Sequence, residues 1–344
     1  MSVSFDPNTI GLPNGNYFAL PYSIIESDVV LMQVPWDATA SYGAGAIKAP
    51  EAIIKASTQI DLYDADVKDA WKVKIGTLPL NESIPTSSRR ARSITTRVIT
   101  ALEKGVPLIR LVDESMAMNE ACEKLNQRVY KVAKRYLDAR KVVGVVGGDH
   151  STPFGLLQAV NENCDEFGIL HIDAHADLRD AYEGFAYSHA SIMYNVLDRL
   201  RNMTKIVQVG VRDYCAEEAE RMATDKRIVS FTDAALQEAS FNGVLWAQQC
   251  RDIVAALPEK VYVSFDIDGL TPENCPHTGT PVPGGLTYNQ AVFLLKTLAW
   301  SGKKIVAFDL CEIVPSDRDE WDANVGARLL FKLCCYARQT MIEN

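Results

Sequence analysis

Hydrophobic and polar residues along the chain form short apolar runs separated by longer amphipathic stretches. The short runs are rich in β-branched residues and apolar at successive positions, which predicts strands buried on both faces of a parallel sheet. We predict six such strands, at residues 29–34, 142–146, 168–172, 205–211, 261–265 and 304–310. Between them, stretches such as 120–140 and 290–300 repeat their apolar residues at helical spacing, which predicts helices.

The repeated order of strand, helix and strand predicts an α/β fold with three layers, α/β/α, around a central and mostly parallel sheet. Residues 1–25 are rich in Asn, Pro and Gly and are interpreted as an irregular N-terminal arm. No linker or low-complexity segment follows the arm. We therefore expect residues 26–344 to form a single domain.

The composition narrows the classes of function. Among the 344 residues, 47% are hydrophobic and 23% charged, with a net charge of −9 and no dense basic run, so no nucleic-acid partner is expected. No apolar run approaches the ~20 residues that span a bilayer, and no signal peptide begins the chain. The eight cysteines include no CxxC pair, so we expect a cytoplasmic protein with reduced thiols and no cysteine zinc site.

Candidate metal ligands follow several of the predicted strands at the point where each strand ends. In open parallel sheets, ligands bind just beyond these carboxyl ends. The predicted strand at 142–146 is followed by a histidine, and the one at 168–172 by a D-x-H-x-D pattern. The strand at 261–265 is followed by a D-x-D pattern, and the one at 304–310 by a glutamate. The residues concerned are His150, then Asp173, His175 and Asp177, then Asp266 and Asp268, and finally Glu312.

The spacing within these motifs predicts a metal site. Alternate residues of an extended backbone point the same way, so each motif presents its side chains together. Without cations nearby, four clustered carboxylates would repel one another and could not all stay ionised. Two divalent cations would balance their four negative charges. Carboxylate and imidazole without thiolate suit Mn²⁺ or another first-row ion. Each motif alone is usually a solvated loop or a helix cap, so the prediction depends on their combination. His171, inside a strand, is interpreted as structural.

Four segments, GGDHS, DAHADLR, SFDIDGLTP and TGTPVPGGL, resemble signature segments of the ureohydrolases, the arginase and agmatinase family. The resemblance extends over nearly the whole chain and is closest to the agmatinase branch. It implies an arginase-like fold, a homotrimer or homohexamer, and two Mn²⁺ ions per chain, with other divalent ions such as Ni²⁺ as alternatives. The implied metal ligands are His150, Asp173, His175, Asp177, Asp266 and Asp268.

The resemblance also implies roles for residues around the metals. His189 matches a histidine that carries protons near the leaving amine, Glu312 a carboxylate that binds the substrate guanidinium, and Thr280 a residue that lines the pocket. Asp149 would support the metal ligands without binding a metal ion itself. The implied reaction is hydrolysis of a small cationic guanidino compound to urea and an amine, with agmatine to putrescine and urea first. A guanidino acid such as guanidinobutyrate, or formimidoylglutamate, is the alternative.

Three residues depart from the family pattern. Thr271 replaces an aspartate outside the ligand set, and His277 replaces a small residue at the expected pocket rim. Arg179 stands in the region that recognises the amino-acid head group in arginases. If Arg179 points into the pocket, an acidic substrate is favoured, whereas an acidic side chain at the pocket mouth favours agmatine. A one-zinc amide hydrolase and a non-catalytic relative are the competing interpretations.

Overall fold

The computed structural model describes residues 5–342, in which eight strands form one sheet between two layers of helices. The strands are β1 Val29–Val34, β2 Ile75–Thr77, β3 Val142–Gly147, β4 Phe167–Ile172, β5 Met203–Val209, β6 Ile228–Phe231, β7 Lys260–Asp266 and β8 Lys304–Cys311. The helices are α1 Ala49–Ser57, α2 Ser83–Glu103, α3 Val112–Asp138, α4 Phe154–Asn163, α5 Ile192–Arg199, α6 Ala216–Thr224, α7 Asp233–Phe241, α8 Trp246–Ala255, α9 Tyr288–Ala299 and α10 Trp321–Ile342.

The order of the strands brings distant parts of the chain together. Across the sheet the order is β2-β1-β3-β8-β7-β4-β5-β6, and all neighbours pair in parallel. The late strands β7 and β8 therefore lie between β3 and β4. As a result, the carboxyl ends of β3, β8, β7 and β4 form one continuous edge at the centre of the sheet.

Both faces of the sheet are buried, as the continuous apolar runs predict. In β1, Leu31 packs with the helices of one face and Met32 with those of the other. Helices α1, α8, α9 and α10 cover the first face, and α2, α3, α4 and α5 cover the second. The predicted three-layer α/β/α class is confirmed. None of the helices in the described range is long and apolar enough to span a membrane.

Some observed strands and helices end or begin at other residues than predicted, and two short strands were not predicted. The fourth predicted strand, 205–211, is observed as β5 and ends at Val209, because Gly210 turns the chain with φ +91°. The edge strands β2 and β6 were not predicted, since three and four residues are too short to show a pattern. The predicted helix at 120–140 begins earlier, at Val112, and ends before Arg140, which has φ +60°.

Part of the predicted N-terminal arm packs against the domain of the same chain. Tyr17 and Phe18 lie in a buried 3₁₀ turn. The ring of Phe18 lies 5.1 Å from that of Phe331 in α10, and the Tyr17 backbone N–H donates to Thr77 Oγ1 of β2 at 2.9 Å. These contacts attach the arm to the edge of the sheet beside β2.

Candidate active site

The six residues predicted as metal ligands meet at the carboxyl ends of β3, β7 and β4. We call this group the donor cluster. His150 lies on the turn after β3, Asp266 is the last residue of β7, and Asp268 lies in the 3₁₀ turn that follows. The loop after β4 supplies the other three members, which are Asp173, His175 and Asp177.

His150 forms one centre of the donor cluster. Its Nδ1 lies 3.0 Å from Asp173 Oδ2, 3.1 Å from Asp177 Oδ2 and 3.4 Å from Asp266 Oδ2. Asp177 adopts φ +54°, a left-handed conformation that is uncommon for a residue with a side chain. The backbone here is bent so that three carboxylates face one imidazole nitrogen.

His175 forms the second centre. Its Nδ1 lies 3.1 Å from Asp268 Oδ2 and 3.5 Å from Asp173 Oδ1. Asp173 therefore turns one carboxylate oxygen toward each histidine and joins the two centres. Thr280, predicted to line the pocket, donates from Oγ1 to Asp268 Oδ2 at 3.5 Å.

The chemistry of the donor cluster fits bound cations. His150 Nδ1 is buried and makes no hydrogen bond of correct geometry with any described residue, although three carboxylates surround it. Burial and then Asp268 raise the pKa of Asp266, and burial and then Asp173 raise the pKa of Asp177 to about 6. Ionised carboxylates this crowded need positive charge beside them. The cluster can therefore hold metal ions.

His171 was predicted to be structural, and it contacts the donor cluster directly. Its Nε2 lies 2.9 Å from Asp173 Oδ2. Burial alone would raise the pKa of Asp173, but His171 and His150 lower it below its usual range. On the far side of the His171 ring, Gln208 Nε2 lies 3.4 Å from Nδ1 and donates to the carbonyl of Ala176. His171 thus orients the carboxylate that joins the two centres.

Ser264 and Asp309 hold His150 from the opposite side, and neither was predicted. Ser264 Oγ lies 2.9 Å and Asp309 Oδ1 3.6 Å from His150 Nε2. The Tyr262 hydroxyl donates to Asp309 Oδ2 at 2.7 Å, which fixes that carboxylate. Such outer partners set the orientation of ligating histidines. The signal available in the sequence was a polar residue inside an otherwise apolar strand.

Glu312, predicted to bind the guanidinium, follows β8 and adopts φ +62°. Its Oε1 accepts the backbone N–H of His150 at 2.8 Å, and its Oε2 carries no hydrogen bond within residues 5–342. Burial and then Asp149 raise the pKa of Glu312 above its usual range. A cation that reached Oε2 would stabilise this carboxylate.

Asp149 holds the turn that carries His150 by hydrogen bonds to neighbouring residues. Its Oδ2 accepts the backbone N–H and the hydroxyl of Thr39 at 3.0 and 2.7 Å, and its Oδ1 accepts the Ser151 hydroxyl at 2.5 Å. The same Thr39 hydroxyl accepts the backbone N–H of His189 at 3.1 Å. Thr39 therefore connects the turn that carries His150 to the loop that carries His189.

His189 lies on the wall of a cavity of about 150 Å³ that opens over the donor cluster. His175, Asp177 and Thr280 line the same cavity. His189 Nε2 lies 3.3 Å from Ser41 Oγ, and burial lowers the pKa of His189 to about 4. The imidazole is therefore neutral at pH 7 and free to accept a proton.

Arg179, Tyr182, Asp213 and Tyr214 line the outer part of this cavity, which we call the pocket mouth. The Arg179 guanidinium lies 4.8 Å above the Tyr182 ring, and its Nε is 3.7 Å from the buried Glu218 carboxylate. Asp213 is exposed, and no basic side chain among the described residues pairs with it. The mouth therefore holds both a paired arginine and an unpaired carboxylate.

The two other departures from the family pattern lie outside the donor cluster. The Thr271 hydroxyl accepts Asn274 Nδ2 at 2.8 Å. His277 Nδ1 lies 2.7 Å from Asp322 Oδ2 at the start of α10. His277 lines a neighbouring surface pocket with Tyr42 and does not line the cavity over the donor cluster.

Comparison with solved structures shows that this fold occurs in a known protein. Proclavaminate amidino hydrolase from Streptomyces clavuligerus superimposes with a TM-score of 0.73 at 22% sequence identity, covering 96% of this chain and 99% of that chain. The likeness shows that the two proteins share one fold.

Sequence comparisons identify the family. N(1)-aminopropylagmatine ureohydrolase of Thermus thermophilus is 32% identical over 296 residues, which cover 86% of this chain and 85% of that protein. Guanidinobutyrase of Pseudomonas aeruginosa is 31% identical over 199 residues, which cover 55% of this chain and 59% of that protein. The pattern that defines the arginase family matches residues 27–335. The chain therefore belongs to the arginase family and is a hydrolase that acts on guanidino compounds.

Proposed function

We propose that this hydrolase cleaves aliphatic guanidines that end in an amine, with agmatine first and urea and putrescine as products. The charge at the pocket mouth carries the proposal: Asp213 is exposed and unpaired among the described residues, whereas Arg179 is paired with Glu218. A substrate with a cationic tail complements Asp213. N(1)-aminopropylagmatine, named in the Thermus relative, has the same guanidino end and a longer cationic tail.

We propose two Mn²⁺ ions per chain, with Ni²⁺ as the alternative. One ion would be held by His150, Asp173, Asp177 and Asp266, and the other by Asp173, His175, Asp266 and Asp268. The unbonded Nδ1 of His150 and the crowded carboxylates support this assignment. When bound, such a pair of cations lowers the pKa of water and supplies a nucleophile at neutral pH.

Glu312 is proposed to bind the substrate guanidinium. Its buried carboxylate has a free Oε2 within the described range, and a planar guanidinium pairs with carboxylate more strongly than other cations do. Thr280, which lines the cavity and contacts Asp268, would fix the position of the reacting carbon. The guanidino group would then lie between Glu312 and the donor cluster.

His189 is proposed to move the proton that the reaction must relocate. Because its pKa is about 4, the imidazole is neutral at pH 7, and the ring nitrogen that carries no proton can accept one from the attacking water. The resulting imidazolium is a strong acid and passes the proton to the departing nitrogen as the carbon–nitrogen bond breaks. Without that transfer the nitrogen would have to leave as an anion, which is prohibitively slow.

A guanidino acid is the second candidate, and Arg179 is the observation that favours it. The guanidinium side chain is 36% exposed and lines the cavity, so a substrate carboxylate could compete with Glu218 for it. The guanidinobutyrase relative gives this candidate further support. Formimidoylglutamate belongs to the same acidic class.

Urea or formamide release from a substrate panel separates the candidates. The Mn²⁺-loaded protein would be assayed with agmatine, N(1)-aminopropylagmatine, guanidinobutyrate, formimidoylglutamate and arginine. We expect kcat/KM for an amine-ended guanidine to exceed that for guanidinobutyrate by at least about 10-fold, as one charge reversal at a recognition site produces. An equal or higher kcat/KM for guanidinobutyrate would reject the amine-ended class in favour of guanidino acids.

We further propose that the protein works in the cytoplasm as a homotrimer or homohexamer, following the family resemblance. Light scattering coupled to gel filtration measures the assembly directly. A mass equal to one or two chains would contradict this part of the proposal.

A further inference from the structure

The Arg212 guanidinium lies beside the donor cluster and was not among the predicted site residues. Arg212 follows β5, and its side chain is partly buried. Its Nε, Nη1 and Nη2 all donate hydrogen bonds at 2.8–3.3 Å, and in the described part of the chain every acceptor is a backbone carbonyl oxygen. These carbonyls belong to Gly210, Asp268, Leu270, Val282 and Pro283. A guanidinium carries its donors in a fixed planar fork, so it holds these segments of chain in one geometry.

The shortest of these bonds reaches a member of the donor cluster. Arg212 Nη2 donates to the carbonyl oxygen of Asp268 at 2.8 Å. The Asp268 carboxylate turns its Oδ2 toward His175 Nδ1 at 3.1 Å, and its Oδ1 accepts the backbone N–H of Ala174 at 3.0 Å. The Arg212 backbone N–H donates to the carbonyl of the same Ala174 at 2.8 Å. Arg212 therefore holds the second centre from two sides, at the loop that carries His175 and at the turn that carries Asp268.

The same guanidinium holds the segment that continues from Thr280. Thr280 lines the cavity over the donor cluster, and the Val282 carbonyl accepts a hydrogen bond from Arg212 Nη2 at 2.9 Å. Gly285 adopts φ +98°, and a Cβ there would lie 2.8 Å from the same Nη2. Glycine at this position therefore provides both the backbone conformation and the space that the guanidinium occupies. The signature segment TGTPVPGGL is thus built around Arg212.

The centre formed by His150 is held by other residues. Ser264 Oγ and Asp309 Oδ1 lie on the far side of the His150 ring, at 2.9 and 3.6 Å from its Nε2. Within residues 5–342, Arg212 makes no hydrogen bond to His150 or to Asp177. The guanidinium is therefore attached directly to one of the two centres and not to the other.

We propose that Arg212 is a positioning residue for the second of the two metal ions, the one assigned to His175 and Asp268. Its side chain fixes the backbone of Asp268 and so the direction of a carboxylate that is assigned to this ion alone. The inference rests on the metal pair proposed above. Residues that orient a ligand from outside the ligand set typically change metal affinity by about 10–100-fold.

Titration of the metal-free full chain with Mn²⁺, followed by electron paramagnetic resonance, tests the proposal without any assay of catalysis. The unaltered protein should bind two ions and give the signal of a magnetically coupled pair. Arg212→Met keeps a long side chain but no donors. In this variant the second ion should bind about 10–100-fold more weakly, while the affinity for the first ion stays nearly unchanged. The coupled signal should therefore appear only at a higher Mn²⁺ concentration.

Further variants separate positioning from general support of the fold. Arg212→Lys keeps the charge without the planar fork and should show the same selective loss, which also covers the case that Arg212→Met does not fold. Arg227→Met is the matched control, because Arg227 is also partly buried and donates to the Leu197 carbonyl at 2.8 Å but lies outside the cavity. It should bind both ions as the unaltered protein does.

The His175→Ala background identifies which ion Arg212 serves. This variant should retain the ion at the centre formed by His150, and adding Arg212→Met should leave the affinity for that ion unchanged. A further fall would show that Arg212 supports the fold as a whole, and would overturn the proposal.

The remaining outcomes distinguish the role of Arg212 from the metal pair itself. Two ions bound with normal affinity by a folded Arg212 variant would overturn the role of Arg212 alone, as would an equal loss of affinity for both ions. Fewer than two ions on the unaltered protein would reject the proposed metal pair and this inference with it.

Discussion

The donor cluster and the pocket mouth share one cavity but are built in opposite ways. Donor-cluster residues lie at or just beyond the ends of three central strands, and even the most exposed of them, His175, has only 25% of its side chain accessible. Residues of the mouth lie on loops, and Tyr214 is 40% exposed. Outer partners such as His171 and Ser264 brace the cluster, whereas one ion pair orders the mouth. The proposed metal site is therefore rigidly held, whereas the residues proposed to select the substrate lie on more exposed loops.

Asp266→Ala should produce the largest effect, because this buried carboxylate is assigned to both cations. Metal affinity should fall by more than the about 10–100-fold typical of changes outside the ligand set, and urea release should fall with it. Elemental analysis after dialysis measures the metal. Asp252→Ala, at an exposed site on α8, is the matched control and should retain both metal and activity. Full metal content in Asp266→Ala would contradict the ligand assignment.

His189→Ala separates proton transfer from metal binding within the same cavity. We expect kcat to fall about 10²–10⁴-fold, the usual contribution of a positioned acid–base group, with the metal content unchanged. His189 contacts Ser41 and Thr39 and no member of the donor cluster by hydrogen bond in the described structure. Loss of metal in this variant would instead make His189 part of the ligand set.

The sequence predicts the donor cluster well because its information is local. Apolar runs mark the central strands, and D-x-H-x-D or D-x-D directly after a run places ligands at a sheet edge. Asp173 and Asp266 could be found in this way. The family resemblance is confirmed by the match over residues 27–335. It added the information that these motifs occur together, in this order along the chain, in one family.

Long-range features could not be predicted in the same way. The insertion of β7 and β8 between β3 and β4 decides which strand ends are adjacent, and no local pattern encodes it. Asp309 reaches His150 only through that insertion. Asp213 follows β5, far along the chain from Arg179, and a single exposed aspartate has no signal that separates it from ordinary surface residues.

Asp213→Asn tests whether the mouth selects the substrate. For agmatine, kcat/KM should fall by about 3- to 10-fold, since a partly exposed charge contact is worth little more. For guanidinobutyrate it should stay level or rise, because a repulsive carboxylate has gone. Glu217→Gln, exposed nearby but outside the cavity, is the control. Equal losses of kcat/KM for both substrates would mean that Asp213 supports the loop and does not recognise the charged end of the substrate.

The smallest effect is expected at Glu183, on the loop that joins Tyr182 to His189. Burial and then Glu103 raise the pKa of Glu183 to about 7, while Arg92 opposes the shift. Below pH 4.5 the group is protonated in folded and unfolded chains alike, so it does not affect stability. As the pH rises from 4.5 through 7 the unfolded chain ionises more readily, and the folded protein loses stability. Above pH 7 the loss is constant.

Glu183→Gln should remove this loss and raise the melting temperature at pH 8 by about 1 °C, with no gain at pH 4. The gain is small because water screens a partly exposed carboxylate and the chain is long. Melting should be followed on metal-free protein, since metal affinity itself depends on pH. Glu238→Gln, at an exposed position on α7, should show no difference between the two pH values. A gain of equal size at pH 4 would come from packing and not from the ionisation of Glu183.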